Sequence, residues 1–217
     1  MRIDADLRSL LSAKANIRRD EPMARHTSLK VGGPAELWVE PWNERDLAKL
    51  LHYCHGREIP VTLVGRGTNL LVRDGGIPGV VVHLCSDEFS KIEVDGERAI
   101  DRGGARLRSV VNEAKKHELG GLEFLEGIPG SLGGALRMNA GAMGKQTFDV
   151  VEWVGYVRSA GEIYDAEART LPVSYRSCPL FTTHVVLQAI LRGQKCSRPE
   201  IDARLRQFEK KRWSSQP

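Results

Sequence analysis

Two segments of the chain are unusually rich in glycine and are the first candidates for a binding site. One reads VGRGTNLLV (64–72), and the other reads GIPGSLGGALRMNAGAMG (127–144), with Arg137 as its only charged residue. Ordered glycine costs backbone entropy, so such a concentration needs a compensating reason. Backbone N–H groups without bulky neighbours can surround an anion such as a phosphate. Both segments are therefore candidates for phosphate binding.

Two common nucleotide-binding loops are excluded by the sequence. A Walker A loop ends in Gly-Lys-Ser or Gly-Lys-Thr, and the chain contains no such ending. A dinucleotide fingerprint needs GxGxxG leading into a helix, whereas Gly65 and Gly67 are followed by Leu70 at the third position and by a strand-like continuation. Phosphate binding by this loop would require a different fold.

Each loop also has a purely structural interpretation. GRGTN (65–69) is typical of a tight turn. In the second loop Pro129 fixes the approach and Ser131 is a potential N-cap, so the following residues predict a helix whose start has few side chains and favours an anion. Close packing of backbone against backbone explains the same glycines by sterics alone. Two such loops in neighbouring units favour one extended ligand with a pyrophosphate between them.

The remaining candidates for chemistry are a His/Cys group and a set of carboxylates. His52, Cys54 and His55 offer possible metal ligands, but His52 and Cys54 do not share a helical face and no further ligand is near. The segment therefore predicts helix surface and no metal site. The carboxylates have spacings that fit acid–base chemistry and loops or strand edges equally, so they receive no role; they are Glu123, Glu126, Asp149 and Glu152.

The overall composition predicts an ordinary globular protein. Of the 217 residues, 41% are apolar and 28% are charged, and the net charge of +4 is spread along the chain, which gives little support to nucleic-acid or membrane-surface binding. The N-terminus lacks a secretory signal core, and no run approaches the roughly 18 apolar residues of a membrane span. The four cysteines form no CxxC pair. We expect a cytoplasmic protein with no nucleic-acid partner and no membrane insertion; the sequence does not indicate an oligomeric state.

The elements that position the loops fall into two units. Residues 1–21 predict a charged helical lead-in, and residues 22–85 predict the first unit. There the apolar stripe within 47–54 predicts a helix with Asn43 as its N-cap. The alternating or apolar segments predicted as strands are AELWVEP (35–41), IPVTLV (59–64), NLLVRD (69–74) and GVVVHL (79–84).

Residues 86–195 predict the second unit, and residues 196–217 predict a final helix. The elements of the second unit are a hairpin (91–105), an amphipathic helix (106–119), a second hairpin (150–168) and a strand (184–192). Ser197 and Glu200 form a capping box at the start of the last helix. No later element covers its apolar face, so this helix either packs back on the second unit or belongs to a protein that continues beyond Pro217.

Four motifs in order carry a family resemblance: HTSLKVGGPAE (26–36), VGRGTNLLV (64–72), GLEFLEGIPGSLGGALRMNAGAMG (121–144) and SYRSC (174–178). Together they resemble the UDP-N-acetylenolpyruvoylglucosamine reductases, FAD enzymes of bacterial peptidoglycan synthesis, from about Pro22 to Pro217. The resemblance implies an α+β fold, namely the two-subdomain FAD-binding fold of the vanillyl-alcohol oxidase and p-cresol methylhydroxylase type. It also implies that residues 196–217 begin a third, substrate-binding domain.

The resemblance implies where FAD is held. The two glycine loops would hold its pyrophosphate, and the segment 138–141 would lie beside the flavin. Thr68, Asn69, Ser131 and Asn139 would add side-chain hydrogen bonds. The residues implied in cofactor binding are Gly65, Arg66, Gly67, Thr68, Asn69, Leu70, Gly127, Ile128, Pro129, Gly130, Ser131, Gly133, Gly134, Asn139 and Gly141.

The resemblance also implies a reaction. In such enzymes NADPH reduces FAD, and the reduced flavin delivers hydride to the enolpyruvyl ether of UDP-N-acetylglucosamine, which yields UDP-N-acetylmuramate. Arg176 matches the family's catalytic arginine, whose guanidinium fork suits a substrate carboxylate, and Tyr175 would also contact the substrate. Without the resemblance, Arg176 would be interpreted as a surface arginine.

Two departures from the family limit these expectations. Cys178 stands where the family usually has serine. The proton-donor serine and an assisting glutamate follow, in the family, the position of Gln216 and Pro217, so we expect this chain to bind flavin with little or no turnover. The alternatives are an FAD-binding module of the same fold with another substrate and a non-catalytic FAD-binding fragment.

Overall fold

The computed structural model describes residues 3–215, which form two β-sheets with helices packed against them. The elements of the first part are α1 (Ile3–Leu10), β1 (Asn16–Pro22), β2 (Pro34–Glu40), α2 (Glu44–His55), β3 (Val61–Val64) and β4 (Ile77–His83). The first sheet has the strand order β1-β2-β4-β3, in which β1 is antiparallel to β2 and β4 is parallel to both β2 and β3.

The helix α2 forms where the sequence predicts it. The Asn43 side chain accepts a hydrogen bond from the Asp46 amide at 2.9 Å, which satisfies one of the free N–H groups of the first turn. Leu47 and Leu50 are fully buried on the face that packs against the sheet. The Asp46 carboxylate in turn accepts from the hydroxyl and amide of Ser12, so it fixes the segment after α1 against α2.

The elements around the second sheet are β5 (Ile92–Asp95), β6 (Arg98–Arg102), α3 (Leu107–Lys116), α4 (Leu132–Arg137), β10 (Val151–Val157), β11 (Ile163–Glu167) and β12 (Val185–Arg192). This sheet is antiparallel throughout, in the order β11-β10-β12-β6-β5. The β5–β6 hairpin turns at Gly96, whose φ of 57° lies in the left-handed region that glycine enters at little cost. The apolar faces of α3 and α4 bury against the sheet.

Two short strand pairs and the last helix complete the described chain: β7 (Leu119–Gly120) with β13 (Gln194–Lys195), β8 (Gly141–Ala142) with β9 (Lys145–Gln146), and α5 (Arg198–Ser215). The apolar face of α5 packs back on the second unit. Ile201 is buried, and Leu205 and Phe208 contact the apolar cluster beneath α3 and α4. The Glu200 carboxylate accepts from the Ser197 amide at 3.1 Å, as in a capping box.

The two sheets share one apolar core at their junction. Phe89, Val157, Val185 and Leu187 come from the second part of the chain, yet they belong to the cluster formed by α2 and the first sheet. This shared burial holds the ends of β3 and β4 beside the start of α4. The relative placement of the two glycine loops therefore follows from the core.

Two sequence predictions of local structure are wrong. The helical lead-in ends at Leu10, and Asn16–Pro22 is a strand because its backbone pairs with β2 and Ile17 enters the core. The segment NLLVRD (69–74) is not a strand: its Arg73 carbonyl accepts from the Gly33 amide at 3.0 Å, so its backbone bonds to a neighbouring loop rather than to a sheet. The subdomain boundaries remain predictions, and Gln216 and Pro217 lie outside the described residues.

Across residues 3–215, no helix is both long enough and apolar enough to cross a lipid bilayer.

Candidate functional site

A cleft with an accessible interior of about 80 Å³ lies where the two sheets meet, and it opens to solvent. Both glycine-rich loops contribute to its wall, as the sequence predicted for a single ligand shared by two units. The lining residues are Leu63, Val64, Gly65, Val82 and Leu84 from the first part, and Gly103, Gly104, Ser131, Gly133, Gly134, Arg137, Phe181, His184, Val185 and Val186 from the second.

The first loop follows β3 directly and is held in place by a close approach of two backbones. Gly67 has a φ of +62°, and a Cβ on it would overlap the carbonyl oxygen of His26. The Gly67 carbonyl accepts from the Ser28 amide at 3.1 Å. Arg66, Thr68 and Asn69 are exposed on either side of this anchored glycine, and of this loop Gly65 lines the cleft.

The second loop is tied to the first. The Thr68 hydroxyl donates to the Pro129 carbonyl at 2.8 Å, and a Cβ built on Gly65 would lie 2.7 Å from the Ser131 hydroxyl oxygen. Gly130 has a φ of +156°, which turns the chain into α4. The bond from Thr68 engages a side chain that the resemblance implies for cofactor binding, and the roles of Thr68, Asn69 and Ser131 toward a ligand stay predictions.

The start of α4 differs from the sequence expectation of free N–H groups. The Leu132 amide donates to the Ala105 carbonyl at 2.9 Å, and the Gly133 amide donates to the Gly103 carbonyl at 2.8 Å. Ser131 precedes the helix, but its side chain forms no capping hydrogen bond. The neighbouring segment 103–105 thus takes up the first amides, because it runs alongside the loop.

The glycines of the second loop divide between the two interpretations left open by the sequence. A Cβ on Gly133 would lie 3.1 Å from the Gly103 carbonyl oxygen, which is tight backbone packing. A Cβ on Gly134 would meet only the Ser131 hydroxyl oxygen at 3.5 Å, and Gly134 lines the cleft. Gly133 is required by packing, whereas the missing side chain at Gly134 leaves space for a ligand.

Gly103 and Gly104 form the floor of the cleft and were missed as site residues. A Cβ on Gly103 would overlap the Val186 carbonyl oxygen, and one on Gly104 would overlap the Leu84 carbonyl oxygen. The adjacent glycines directly after a predicted strand were the available signal. They allow β6 to approach β12 and the end of the first unit closely enough to close the cleft.

Asn139 lies behind the cleft and joins three segments. It is buried with a φ of +37°; its amide nitrogen donates to the Gln146 side chain at 2.6 Å and to the Ser174 carbonyl at 3.0 Å, and its oxygen accepts from the Phe148 amide at 3.3 Å. These contacts hold Gly141 and the SYRSC segment together. A cofactor contact of Asn139 or Gly141 stays a prediction.

Arg176 is at the tip of a tight turn on this same support. Ser174 and Ser177 pair across the turn, and Arg176 has a φ of +57°. Its guanidinium donates to the Gly141 carbonyl at 3.2 Å, and both Arg176 and Tyr175 are exposed, Tyr175 with 78% of its surface accessible. The turn therefore presents a cation beside the segment expected to flank the flavin.

Cys178 anchors the end of this turn rather than serving as a reactive group. Its amide donates to the Arg137 carbonyl at 2.9 Å, and its side chain is buried. Burial raises the pKa of the Cys178 thiol above its ordinary value, which disfavours the reactive thiolate.

The other sequence candidates have structural roles. Cys54 is buried in α2 and burial raises its pKa to about 11, while His52 contacts the Ala160 carbonyl. The four carboxylates all bond to neighbouring groups: Glu123 to Arg204, Glu126 to Arg108 and Arg212, Glu152 to Arg98 and Arg192, and Asp149 to the Gln146 amide. No acid–base role follows from these contacts.

One group of possible metal ligands, not predicted from the sequence, occurs in the described chain: Glu40, His83 and Cys85. The Glu40 carboxylate already accepts from Arg18 at 3.0 Å and from the Trp38 indole at 2.9 Å. Burial alone would raise the Glu40 pKa, but the hydrogen bonds from His83 and Trp38, with Arg18, hold it well below its ordinary value. Glu40 and His83 therefore belong to an ion-pair network in which the Arg18 guanidinium supplies the positive charge.

Comparisons with known proteins agree with this geometry. A family model described as an FAD binding domain matches residues 35–167. The UDP-N-acetylenolpyruvoylglucosamine reductase of Clostridium botulinum is 38% identical over 203 residues, which are 93% of this chain and 66% of the relative. The Clostridioides difficile protein of the same name is 37% identical over 98% of this chain and 69% of its own length. This chain thus spans just under two thirds of the Clostridium botulinum relative.

Solved structures show the same fold. The UDP-N-acetylenolpyruvylglucosamine reductase of Thermus caldophilus superposes with a TM-score of 0.79 at 29% identity, over 94% of this chain and 71% of that one. The 6-hydroxy-D-nicotine oxidase of Arthrobacter nicotinovorans superposes with a TM-score of 0.62 at 18% identity, over 85% of this chain and 43% of that one, which is evidence of fold alone. The predicted α+β FAD-binding fold is confirmed. This chain belongs to the UDP-N-acetylenolpyruvoylglucosamine reductase family.

Proposed function

We propose that this chain binds FAD in the cleft between its two sheets and serves in the NADPH-dependent reduction of UDP-N-acetylglucosamine enolpyruvate to UDP-N-acetylmuramate. The observation that carries the proposal is the convergence of the two glycine loops on one cleft, joined by the Thr68 hydroxyl and the Pro129 carbonyl. The substrate is a small-molecule sugar nucleotide, and the reaction belongs to peptidoglycan synthesis. The protein would act in the cytoplasm.

The residues present fit an FAD molecule. The cleft is open at Gly134, where a side chain would occupy it, and its walls include apolar side chains such as Val82 and Val186 that suit a flat aromatic ring. Arg66 adds an exposed positive charge to the first loop, directly after Gly65 of the cleft wall. When bound, FAD supplies a group that accepts and donates hydride.

The chain's own residues then hold and orient the reactants. The loops 65–70 and 127–134 would hold the diphosphate part of the cofactor, with Gly67 and Gly130 fixing their backbones. Arg176 would pair with the substrate carboxylate, because its guanidinium stays charged and presents a planar fork that suits two oxygens. The Asn139 side chain donates to the Ser174 carbonyl and would thereby hold this turn beside the flavin.

Arg176 also suits the charge that develops during reduction. Addition of hydride to the β-carbon of an enolpyruvyl group shifts negative charge toward the α-carbon and its carboxylate. A fixed cation that contacts the carboxylate stabilises this charge more than it stabilises the starting substrate. Among residues 3–215 we assign no group as the proton donor to the α-carbon, so the complete catalytic cycle is not attributed to these residues.

Two measurements test the proposal. Purified protein should carry, or take up, a chromophore with the visible absorption of a flavin, and denaturation should release FAD. Titration of the bound flavin with the enolpyruvyl sugar nucleotide should perturb that absorption. A folded protein that takes up no FAD contradicts the proposal, and a flavoprotein that responds to a different substrate class would retain the cofactor assignment alone.

A further inference from the structure

Two arginines near the cleft have no counter-ion in the part of the chain that the structure describes. Arg66 lies in the first glycine loop, and Arg106 lies directly before α3 in the second part. The side chain of neither residue forms an ion pair or a hydrogen bond there, whereas other exposed arginines such as Arg98 and Arg192 pair with a carboxylate. Both side chains are exposed, so both are accessible to a ligand.

The two arginines flank the same point of the second glycine loop. On one side, Gly65, which precedes Arg66, lies so close to Ser131 that an added Cβ would be 2.7 Å from its hydroxyl oxygen. On the other side, Arg106 pairs with Ser131 in an antiparallel bridge, and the next amide, that of Leu107, donates to the Gly130 carbonyl at 3.3 Å. Two chain segments, each carrying one of the arginines, therefore adjoin Ser131.

The two charges also act on one another. The pKa of Arg66 is lowered from its ordinary value, first by partial burial of its guanidinium and second by the positive charge of Arg106. Two like charges that approach without a carboxylate between them raise the free energy of the empty site. A doubly charged anion removes that repulsion, and guanidinium groups match the geometry of phosphate oxygens.

We infer that Arg66 and Arg106 form a clamp for a diphosphate group, closed from both subdomains over the glycine loops. The inference rests on the proposed function in assigning that diphosphate to FAD. Backbone N–H groups of the loops would fix the position of the phosphates, and the two guanidinium groups would supply the neutralising charge. Because one ligand would contact an arginine of each subdomain, cofactor binding would also stabilise the packing of the two subdomains against each other.

The test compares Arg66→Gln, Arg106→Gln and the double variant with Arg108→Gln. Arg108 is a matched control because it is exposed, lies two residues after Arg106, and already pairs with Glu126 at 3.7 Å. Binding of FAD to the flavin-free protein is followed by the quenching of flavin fluorescence. We expect each clamp variant to weaken FAD binding by about 10- to 100-fold, as for the loss of a charged hydrogen-bond partner, and the control to change it by less than about twofold.

Riboflavin separates the clamp from the rest of the site, because it has no phosphate. Its affinity should be equal in all variants, and the affinity for FAD should fall with added salt more steeply in the original chain than in the double variant. The diphosphates of NADPH and of the UDP-sugar are the other possible occupants. Variants that bind FAD normally but lose either of those ligands would overturn the assignment to the cofactor.

Thermal unfolding of the flavin-free protein distinguishes a clamp from a structural role. Removing one of two mutually repelling charges should leave the melting temperature unchanged or raise it, while the stabilisation produced by FAD becomes smaller. If the flavin-free variants instead melt at a lower temperature, and this loss of stability is enough to explain their weaker FAD binding, the arginines have a structural role and the clamp is contradicted.

If the original chain takes up no FAD, the proposed function is rejected, but the clamp can still be tested with inorganic pyrophosphate. Pyrophosphate should then raise the melting temperature of the original chain and of Arg108→Gln but not that of the double variant. Equal responses of all three proteins would overturn the clamp.

Discussion

At the residue scale, neighbouring glycines of the cleft have different functions. A Cβ on Gly133 would be tight against the Gly103 carbonyl oxygen, whereas a Cβ on Gly134 would make only an ordinary contact with the Ser131 hydroxyl oxygen. Gly67 is required by its positive φ and by the His26 carbonyl. A substitution at Gly134 therefore probes the ligand space without changing the packing of the loop.

Gly134→Leu should abolish retention of FAD while the protein stays folded. The leucine side chain would extend into the cleft and occupy ligand volume, and a helical position tolerates leucine well. The measurement is the flavin absorbance of purified protein together with its circular dichroism. Gly75→Leu is the control, because a Cβ at Gly75 meets no atom within 4 Å and the residue lies outside the cleft lining. A folded Gly134→Leu protein that is still yellow would show that the cofactor lies elsewhere.

Arg176→Gln should leave FAD binding unchanged and weaken the enolpyruvyl substrate. The exposed guanidinium contacts only the Gly141 carbonyl and the Tyr175 ring within the described chain, so its removal costs the fold little. Loss of a charged partner for the substrate carboxylate should weaken substrate binding at least tenfold, measured by perturbation of the flavin spectrum. Equal substrate affinity in the variant would remove Arg176 from the site.

At the scale of the elements, β6 contains a buried acid whose charge opposes folding. Asp101 is fully buried, and neither carboxyl oxygen has a hydrogen-bond partner among the described residues. Burial raises its pKa from 3.8 to about 7. Because the folded state holds the proton more tightly, this group costs nothing below about pH 4 and its cost is complete above about pH 7.

Asp101→Asn should therefore flatten the dependence of stability on pH. From pH 5 to pH 8 the original chain should lose about 2 to 3 kcal/mol of unfolding free energy relative to the variant, measured by urea unfolding. The exposed Asp95, the last residue of β5, provides the control variant Asp95→Asn, which should leave the original pH dependence in place. An identical pH profile for Asp101→Asn and the original chain would mean that the Asp101 carboxyl is solvated or paired.

Asn43→Ala should destabilise the fold by about 1 kcal/mol. The substitution removes the oxygen that accepts from the Asp46 amide at the start of α2, and this amide has no other intrahelical partner. Urea unfolding checks the change, and Asn43→Asp serves as the conservative variant that keeps the cap and should remain within a few tenths of a kcal/mol. A loss in the aspartate variant as large as in the alanine variant would contradict capping as the cause.

Local patterns predicted most of these elements because their signals are local. The 3.6-residue apolar stripe predicted α3 and, together with the Asn43 cap, α2; the Asp95-Gly96 turn predicted the first hairpin. The segments predicted wrongly depend on distant partners. Asn16–Pro22 becomes a strand through pairing with β2, and 69–74 loses its strand because the loop at Gly33 takes its backbone bond.

At the scale of the whole molecule, the sequence indicated two anion-binding loops and the structure shows why they converge. The apolar cluster that joins α2 to Val157, Val185 and Leu187 fixes the two sheets, and hence the cleft. Gly103 and Gly104 were not identified from the sequence, because their part in the cleft depends on chain segments that meet only in the fold; the same holds for the role that we propose for Arg106. Asn139 was identified, but its supporting contacts were not.

The most direct test of the account is the flavin content of the purified chain after incubation with FAD and removal of free cofactor. We expect about one FAD per folded chain, with a visible flavin spectrum and FAD released on denaturation. The assignment of the cleft as a flavin site would be contradicted if circular dichroism shows the chain to be folded but the chain has no visible flavin absorption after incubation with excess FAD and removal of the free cofactor.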